Sequence, residues 1–327
     1  MKITVDNLKA KLVEVLTLAG ATELDATVVA DEIIYGQIRG KKSHGLLMLP
    51  SMVKRASKGA DRIKVLSDSE QFAFLDGCEC IGPVVSKRAM DISVEKTLNH
   101  GFSIVGVKNP YPFITAGYPV WNVVNKHKLI AIDISVANSK VAPYGSTEPI
   151  FGTNPIGFAF PTKEHPIVID MSITKIPAAK IKQSIESGKL LPENVALDNE
   201  GNFTTDPNKA LKGALTTFGG YKSSAIALMV ELLAGAFLNQ KCGKQNGEMR
   251  AMLFFTCKPD LFVDMDSVLR NASNLRNDIN NSRPISPDDP ARTPGDNAEL
   301  LMNDALQNGI MLSVSEQQLL EKVGVSL

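Results

Sequence analysis

From Arg62 onward the chain is built of short apolar runs set between stretches of helical spacing, and this texture restricts the fold more than any other feature. The runs occupy residues 72–75, 102–107, 129–136, 156–160, 167–171 and 251–256. Each has the length of a strand and is too short for a free-standing helix. Residues 83–98 and a long apolar stretch from about 223 to 238 read as helices between them. Strands and helices interleaved in this way bury their apolar faces against one another, which predicts an α/β layered core with a mixed sheet flanked by helices.

The two ends have a different texture. Leu8, Leu12, Val15 and Leu16 recur at helical spacing after Asp6, a candidate cap, and Gly20 is a natural stop. Thr22 with Asp25 resembles a capping box opening a second helix that carries Val28, Val29, Ile33, Ile34 and Ile38. A third helix is expected over 46–53, after a turn near Gly40 and Gly45. At the other end, Leu300, Leu301 and Leu306 mark one helix, and Leu319, Leu320 and Val323 mark another after Ser315. The terminal segments are therefore expected to pack together as one helical layer. Between them and the sheet, residues 271–299 offer only Leu275, Ile279 and Ile285 as large aliphatics, which predicts a long loop or linker.

Composition removes several functions. In 327 residues, Lys plus Arg and Asp plus Glu number 35 each, so there is no overall basic field to gather nucleic acid or an anionic membrane. The opening residues are polar and amphipathic, and no apolar run reaches the roughly 20 residues of a bilayer span, so a cytoplasmic protein is expected. Cys78, Cys80, Cys242 and Cys257 match neither a disulfide framework nor a CxxC pair. His44, His100, His127 and His165 lack the spacing that puts two ligands on one helix face, so no metal is expected.

The sequence contains neither GxGxxG nor GxxxxGK[ST], which argues against a Rossmann or P-loop site. GxSxG and HExxH are absent as well. Three clusters remain. In Lys41-Lys42-Ser43-His44-Gly45 an imidazole beside a hydroxyl suits proton transfer near neutral pH, and equally suits a cap or turn. Gly152-Thr153-Asn154-Pro155 is ordinary turn chemistry, or a stiff loop offering hydrogen bonds to a small polar ligand. Phe218-Gly219-Gly220-Tyr221-Lys222-Ser223-Ser224 opens an apolar helix, where glycines, a helix N-terminus and a lysine suit a phosphate or carboxylate. The same residues also describe a flexible turn with a solvated lysine.

Taken in order, these clusters resemble the malate/L-lactate dehydrogenase family of NAD(P)-dependent oxidoreductases, which lacks the Rossmann fold. The matching pieces are RGKKSHGLLMLP at 39–50, APYGSTEPIFGTNPIGFAFP at 142–161, VIDMS at 168–172, LDNEGNFTTDP at 197–207, GALTTFGGYKSSAIALMVELLAGAF at 213–237 and ARTPGDNAE at 291–299. The resemblance implies a non-Rossmann α/β fold, a homodimer, NADPH or NADH as cofactor, and hydride exchange with a small 2-oxo acid or a cyclic imine. It implies two portions, 1–115 plus 290–327 on the dimerisation and substrate side and 116–289 on the cofactor side, joined in one catalytic unit. By position, His44 would be the proton donor, with Ser43 orienting it, and Thr153 would contact substrate. Pro112, Phe113, Ile114, Thr115 and Ala116, then Asp170, Met171 and Ser172, would line the cofactor. Tyr221, Lys222 and the segment 292–298, with Arg292, Pro294, Gly295 and Asp296, would complete its site.

Departures from the family pattern carry information too. Met48 stands where the family usually has an arginine after SHG, and Ala178 stands where it has another, followed by Ala179 in place of glycine. Pro112 replaces a common histidine, and Ser223 a glycine. Losing two guanidiniums that fork onto carboxylates implies a substrate unlike malate or lactate, larger or more apolar near the reacting carbon. Lys180 either supplies the missing charge from another direction or is a surface lysine. The alternative for the whole chain is a repurposed member that keeps the fold and dimer without redox turnover.

Overall fold

The computed structural model describes residues 1–111, 114–245 and 250–325. The N-terminal part contains β1 (Lys2–Ile3), α1 (Val5–Leu18), α2 (Glu23–Ile38) and α3 (Leu49–Val53). Next come β2 (Lys64–Asp68), β3 (Phe72–Asp76), α4 (Gly82–His100), β4 (Phe102–Lys108), α5 (Gly117–His127), β5 (Ile130–Val136), β6 (Ile156–Phe160) and β7 (Ile167–Met171). The remainder holds α6 (Ala179–Ser187), β8 (Ala196–Leu197), α7 (Pro207–Ala210), β9 (Ala214–Leu215), α8 (Tyr221–Val230), β10 (Ala251–Cys257), α9 (Met265–Asn280), α10 (Asp296–Asn308), β11 (Ile310–Met311) and α11 (Val314–Lys322).

Among the described residues, seven strands form the main sheet in the order β2-β3-β4-β10-β5-β6-β7. Only β3 and β4 run parallel, joined through α4, and every other neighbouring pair is antiparallel. The sheet is therefore mixed, as the sequence texture predicts. One face carries α4 and α5 over Val105, Val107, Ala131 and Phe254. The other carries the α8 region over Ile134 and Val136. The expected strands all form, and β2, entirely exposed at the sheet edge, joins them without any apolar alternation to announce it.

The terminal helices do share one core: Leu8, Leu12, Leu16 and Ile33 pack with Ile310, Leu312 and Leu320. Their capping differs in detail from expectation. The Thr4 hydroxyl accepts the Asn7 N–H at 3.3 Å and caps α1, while Asp6 sits in the first turn, where a negative charge suits the helix dipole. Thr22 accepts the Asp25 N–H at 3.1 Å, but the Asp25 carboxylate turns away to the Ala60 N–H. Half of the capping box is thus present in α2. The full box forms instead at α11, between Ser313 and Glu316, two residues before the expected start. Residues 46–53 split into a 3-10 turn (Leu46–Met48) and the short α3.

Residues 271–299 are not one long loop, because α9 runs through Asn280. Its inward face is held by charge and hydrogen bonds in place of an apolar stripe. Arg276 donates to Asp296 at 2.6 Å and to the His165 carbonyl at 2.7 Å, and Ser273 donates to Glu164 at 2.9 Å. The apolar stretch at 223–238 also departs from a plain helix: after α8 the chain makes one π turn (Glu231–Gly235) and a 3-10 turn (Ala236–Leu238). The wide turn accompanies a buried Glu231, whose carboxylate accepts from Asn154 Nδ2 at 3.0 Å and from the Gly152 N–H at 3.3 Å. By length and composition alone, Tyr221–Leu238 is long and apolar enough to cross a membrane, and part of it is buried against the rest of the chain.

Candidate active site

The cleft lies at one end of the main sheet. Because β5 is antiparallel to both β6 and β10, and β7 to β6, the end of β5, the start of β6, the end of β7 and the start of β10 meet there. A cavity of about 700 Å³ opens at this junction, within the range of small-molecule sites. Its walls come from the turn after α2 (Lys41, Lys42, Ser43, His44), the segment before α5 (Ile114, Thr115, Ala116) and the strand ends (Thr153, Asp170, Met171, Ser172). Met48, Ala178 and Ala179 add an apolar wall, and Gln183 and Arg250 complete the lining.

Close backbone approach sets this geometry. Asp133 on β5, Gly157 on β6 and Asp170 on β7 are direct cross-strand partners and so share one face of the sheet. A Cβ at Gly157 would fall 2.1 Å from the Ala116 carbonyl oxygen, so the start of α5 rests on the bare backbone there. A Cβ at Gly117 would lie 2.5 Å from the Asp170 carboxylate. Two glycines thus let the head of a helix settle between two acidic side chains, where its dipole favours negative charge.

Ser43 Oγ lies 2.8 Å from His44 Nδ1. If the hydroxyl donates, Nδ1 accepts and Nε2 holds the ring proton. Burial lowers the His44 pKa below its ordinary value, the Asp170 charge opposes that shift, and the Lys41 charge adds to it. Lys41 Nζ forms an ion pair with the Asp170 carboxylate and donates to the Asp170 carbonyl at 3.0 Å. Behind this pair, the Glu32 carboxylate on α2 accepts the Thr115 N–H at 2.7 Å, and burial pushes its pKa up to about 8. Asp133 is fully buried, with Oδ1 accepting from Ser135 at 3.2 Å and Oδ2 without a hydrogen-bond partner. Burial raises its pKa well above the carboxylate range, and the Glu32 and Asp170 charges raise it further. At neutral pH, then, Glu32 is predominantly protonated, Asp133 is pushed toward its neutral form, and Asp170 is paired with Lys41.

Ser43, His44, Met48, Ile114, Thr115, Ala116, Thr153, Asp170, Met171, Ser172, Ala178 and Ala179 therefore line one cavity. Pro112 and Phe113 lie outside the described residues. Asn154 faces inward: its Oδ1 accepts the Ala137 N–H at 3.3 Å, so this half of the GTNP loop is structural while Thr153 faces the cleft. Lys180 is exposed and does not border the cavity. Tyr221 and Lys222 also stand outside it at the head of α8, and Ser223 Oγ closes the preceding turn by accepting the Gly219 N–H at 2.8 Å. The segment 292–298 runs along the far edge of the sheet, where the Pro294 carbonyl accepts the Val168 N–H at 3.2 Å. Arg292 donates to Asn297 at 3.3 Å, Gly295 precedes α10 with φ +100°, and Asp296 is occupied by Arg276 and Asn280.

Sequence reasoning missed Glu32, Asp133, Gln183 and Arg250. A carboxyl inside the apolar spacing of α2 and another inside β5 were the available signals, since an acid in a core position calls for a reason. No local pattern marks Gln183 or Arg250.

The cleft at the strand ends thus holds a hydroxyl-bound histidine and an ion pair, with two buried acids behind them, which are groups that an acid–base site uses. The description "Malate/L-lactate dehydrogenase" matches residues 3–321. Malate/(S)-sulfolactate dehydrogenase of Methanothermus fervidus is 29% identical over 99% of this chain and 96% of its own length. Delta(1)-pyrroline-2-carboxylate reductase 1 of Burkholderia ambifaria is 33% identical over 75% of this chain and 73% of its own. The solved sulfolactate dehydrogenase of Methanocaldococcus jannaschii superimposes with a TM-score of 0.87 at 28% identity, covering 100% of this chain and 98% of that one. The chain belongs to the malate/L-lactate dehydrogenase family and is an oxidoreductase of that family.

Proposed function

We propose that this protein is an NAD(P)H-dependent reductase of a small 2-oxo acid or cyclic imine, with His44 as proton donor. The observation that carries the reading is the Ser43–His44 pair on the rim of the cleft, next to the Lys41–Asp170 ion pair. The nicotinamide, when bound, supplies the hydride that reaches the carbonyl or imine carbon, while His44 gives a proton to the oxygen or nitrogen. Ser43 holds the ring in one tautomer, and Thr153 on the opposite wall fixes the substrate. The cleft volume and the backbone of residues 114–116, close-packed on Gly157 and tied down by Glu32, fit a flat cofactor ring. On this reading the portion 1–115 plus 290–327 contributes the proton donor and the portion 116–289 contributes most of the cofactor side.

A homodimer is part of the same proposal. Most of the apolar residues of α1 and α2 are covered within the chain, while Leu18 and Leu24 at their ends are exposed. A run of uncovered apolar side chains lies at 221–238, where Leu232 is 52% and Phe237 68% exposed. A second copy seated there supports a role for Tyr221 and Lys222: they head that surface and would serve a nucleotide at the subunit boundary.

The test is fluorescence titration of the purified protein with NADPH and NADH, followed by oxidation assays against 2-oxo acids and cyclic imines. Binding of either nucleotide, with turnover of at least one acid, is the expected result, and the preferred nucleotide is read from the same curves. The replacement of both guanidiniums by Met48 and Ala178 favours one rival, a non-redox member of the family. Absence of binding to both nucleotides would establish that rival.

A further inference from the structure

The turn that carries His44 is held from both ends. Before it, the Lys41 N–H donates to the Gly36 carbonyl of α2 at 2.9 Å, and after it the Leu46 N–H donates to Gln37 Oε1 at 3.2 Å. Cβ atoms at Gly36 and Gly45 would fall 2.2 Å from the His44 carbonyl oxygen and 2.4 Å from Gln37 Oε1, so the turn lies directly on the end of α2. Gln37 is buried, and its Nε2 donates to Glu316 Oε1 at 2.7 Å. Glu316 is 279 residues further along the chain, in the first turn of α11, where the Ser313 N–H and Oγ donate to its other oxygen at 2.7 and 2.8 Å. Burial works against the Glu316 charge, but the hydrogen bonds from Ser313 and Gln37, with the Lys42 charge at 3.8 Å, hold its carboxyl below the ordinary glutamate value.

The anion gives this relay a single polarity. A carboxylate accepts and never donates, so the Gln37 amide must present its nitrogen to Glu316 and its oxygen to Leu46. Turning the amide over would set acceptor against acceptor and donor against donor in a buried place. Neither side chain borders the cleft, yet both act on the backbone of a turn that does. Proton transfer depends on such placement, because a small displacement of the donor takes it out of hydrogen-bond reach.

We infer that Gln37 and Glu316 are positioning residues for the proton donor: Glu316 of the C-terminal helix fixes the Gln37 amide, and Gln37 fixes the turn that aims His44 into the cleft. This rests on the reductase reading above. Glu316 therefore has two tasks, capping α11 and reaching across to the turn after α2. The terminal helical layer is on this account part of the reaction machinery as well as the scaffold, although it contributes to the cleft only through that turn.

The experiment follows the His44 titration midpoint by NMR of the histidine rings in the intact protein, assigned against His44→Ala, and then kcat and KM with the acid or imine turned over in the assays above. Gln37→Met keeps the bulk and removes both bonds. Its His44 midpoint should rise toward the ordinary 6.5 as the loosened turn admits water to the ring, and kcat should fall roughly ten- to a hundredfold with nucleotide KM unchanged. Gln37→Glu combined with Glu316→Gln remakes the same bonds with amide and carboxylate exchanged, and should return both readings to wild type. Val15→Ala, which loosens the same apolar core away from the relay, should lower Tm and move neither reading. Should Gln37→Met fold poorly, Glu316→Ala decides, because it removes the anion that fixes the amide, and smaller shifts in the same directions are expected. A wild-type midpoint and kcat in whichever of these two variants folds, no recovery in the exchanged pair, or an equal change in Val15→Ala overturns the inference. If wild type turns nothing over while the midpoint moves and recovers as described, the reductase reading falls and the relay stands; if wild type is active and Gln37→Met matches it, only the inference falls.

Discussion

The turns at 40–45 and 218–224 are alike in sequence, each offering glycine, lysine and serine beside a helix end, yet they occupy opposite situations in the molecule. The first borders the large cleft and is backed by Glu32, Asp133 and Asp170. The second spends its serine on its own backbone and presents Tyr221 and Lys222 on the surface. Ligand-like composition is therefore insufficient on its own. What distinguishes the first turn is concavity and a set of polar groups placed against it by distant parts of the chain.

The sharpest way to break this contrast is His44→Ala. If the first turn carries the chemistry, reduction should slow by roughly 10²- to 10⁴-fold, while Tm moves little. The wild-type profile should show the matching pH dependence. Because the His44 pKa is lowered, the protonated donor is depleted as pH rises through a value below 6.5, so reduction should weaken toward alkaline pH and oxidation strengthen. An unchanged rate in His44→Ala would return the first turn to the status of the second.

Lys222→Ala probes the other side. If the second turn serves a nucleotide only at a subunit boundary, its loss should weaken nucleotide binding by roughly three- to tenfold, the scale of an exposed charge contact. The effect should disappear on dilution to the monomer, followed by sedimentation. Unchanged affinity in the assembled protein would leave Lys222 a solvated lysine.

The smallest expected effect belongs to the acids behind the first turn. Glu32 is held near 8 in the folded protein against about 4.5 for an ordinary glutamate, so its neutral form favours folding. That contribution is fully present below about 4.5 and is lost as pH rises through about 8. Glu32→Gln keeps the acceptor for Thr115 and never ionises. Its Tm should therefore exceed wild type by a margin that widens between pH 5 and pH 8.5, on the order of several degrees. A constant margin would show that Glu32 is not buried as described.

Much of the scaffold was legible in the sequence because burial imprints a period. The central strands and the terminal helices all carry one, down to Leu8, Leu12 and Leu16 on one face of α1. Where burial is replaced by charge or by exposure, the signal vanishes. The helix α9 hangs on Arg276, Asp296 and Ser273, and β2 is exposed along its whole length. The site divides in the same way. Ser43 and His44 were visible as neighbours in the chain, while Asp133 and Arg250 reach the cleft end of the sheet only through the register of β5 and β10, and Glu32 arrives from α2 by its hydrogen bond to Thr115. Asp296, expected at the cofactor, forms an ion pair with Arg276 of α9.

The placement of β10 has a consequence for how the molecule is made. It sits between β4 and β5, although it follows both by more than a hundred residues. A nascent chain emerging from the ribosome therefore carries two half-sheets, β2-β3-β4 and β5-β6-β7, each with a bare edge, until residue 257 is synthesised and the last strand zips them together. Such long-range closure is slow and leaves hydrogen-bonding edges open to wrong partners in the meantime. Arg250 leads that strand into place, so the cleft acquires its last wall in the same event that completes the sheet.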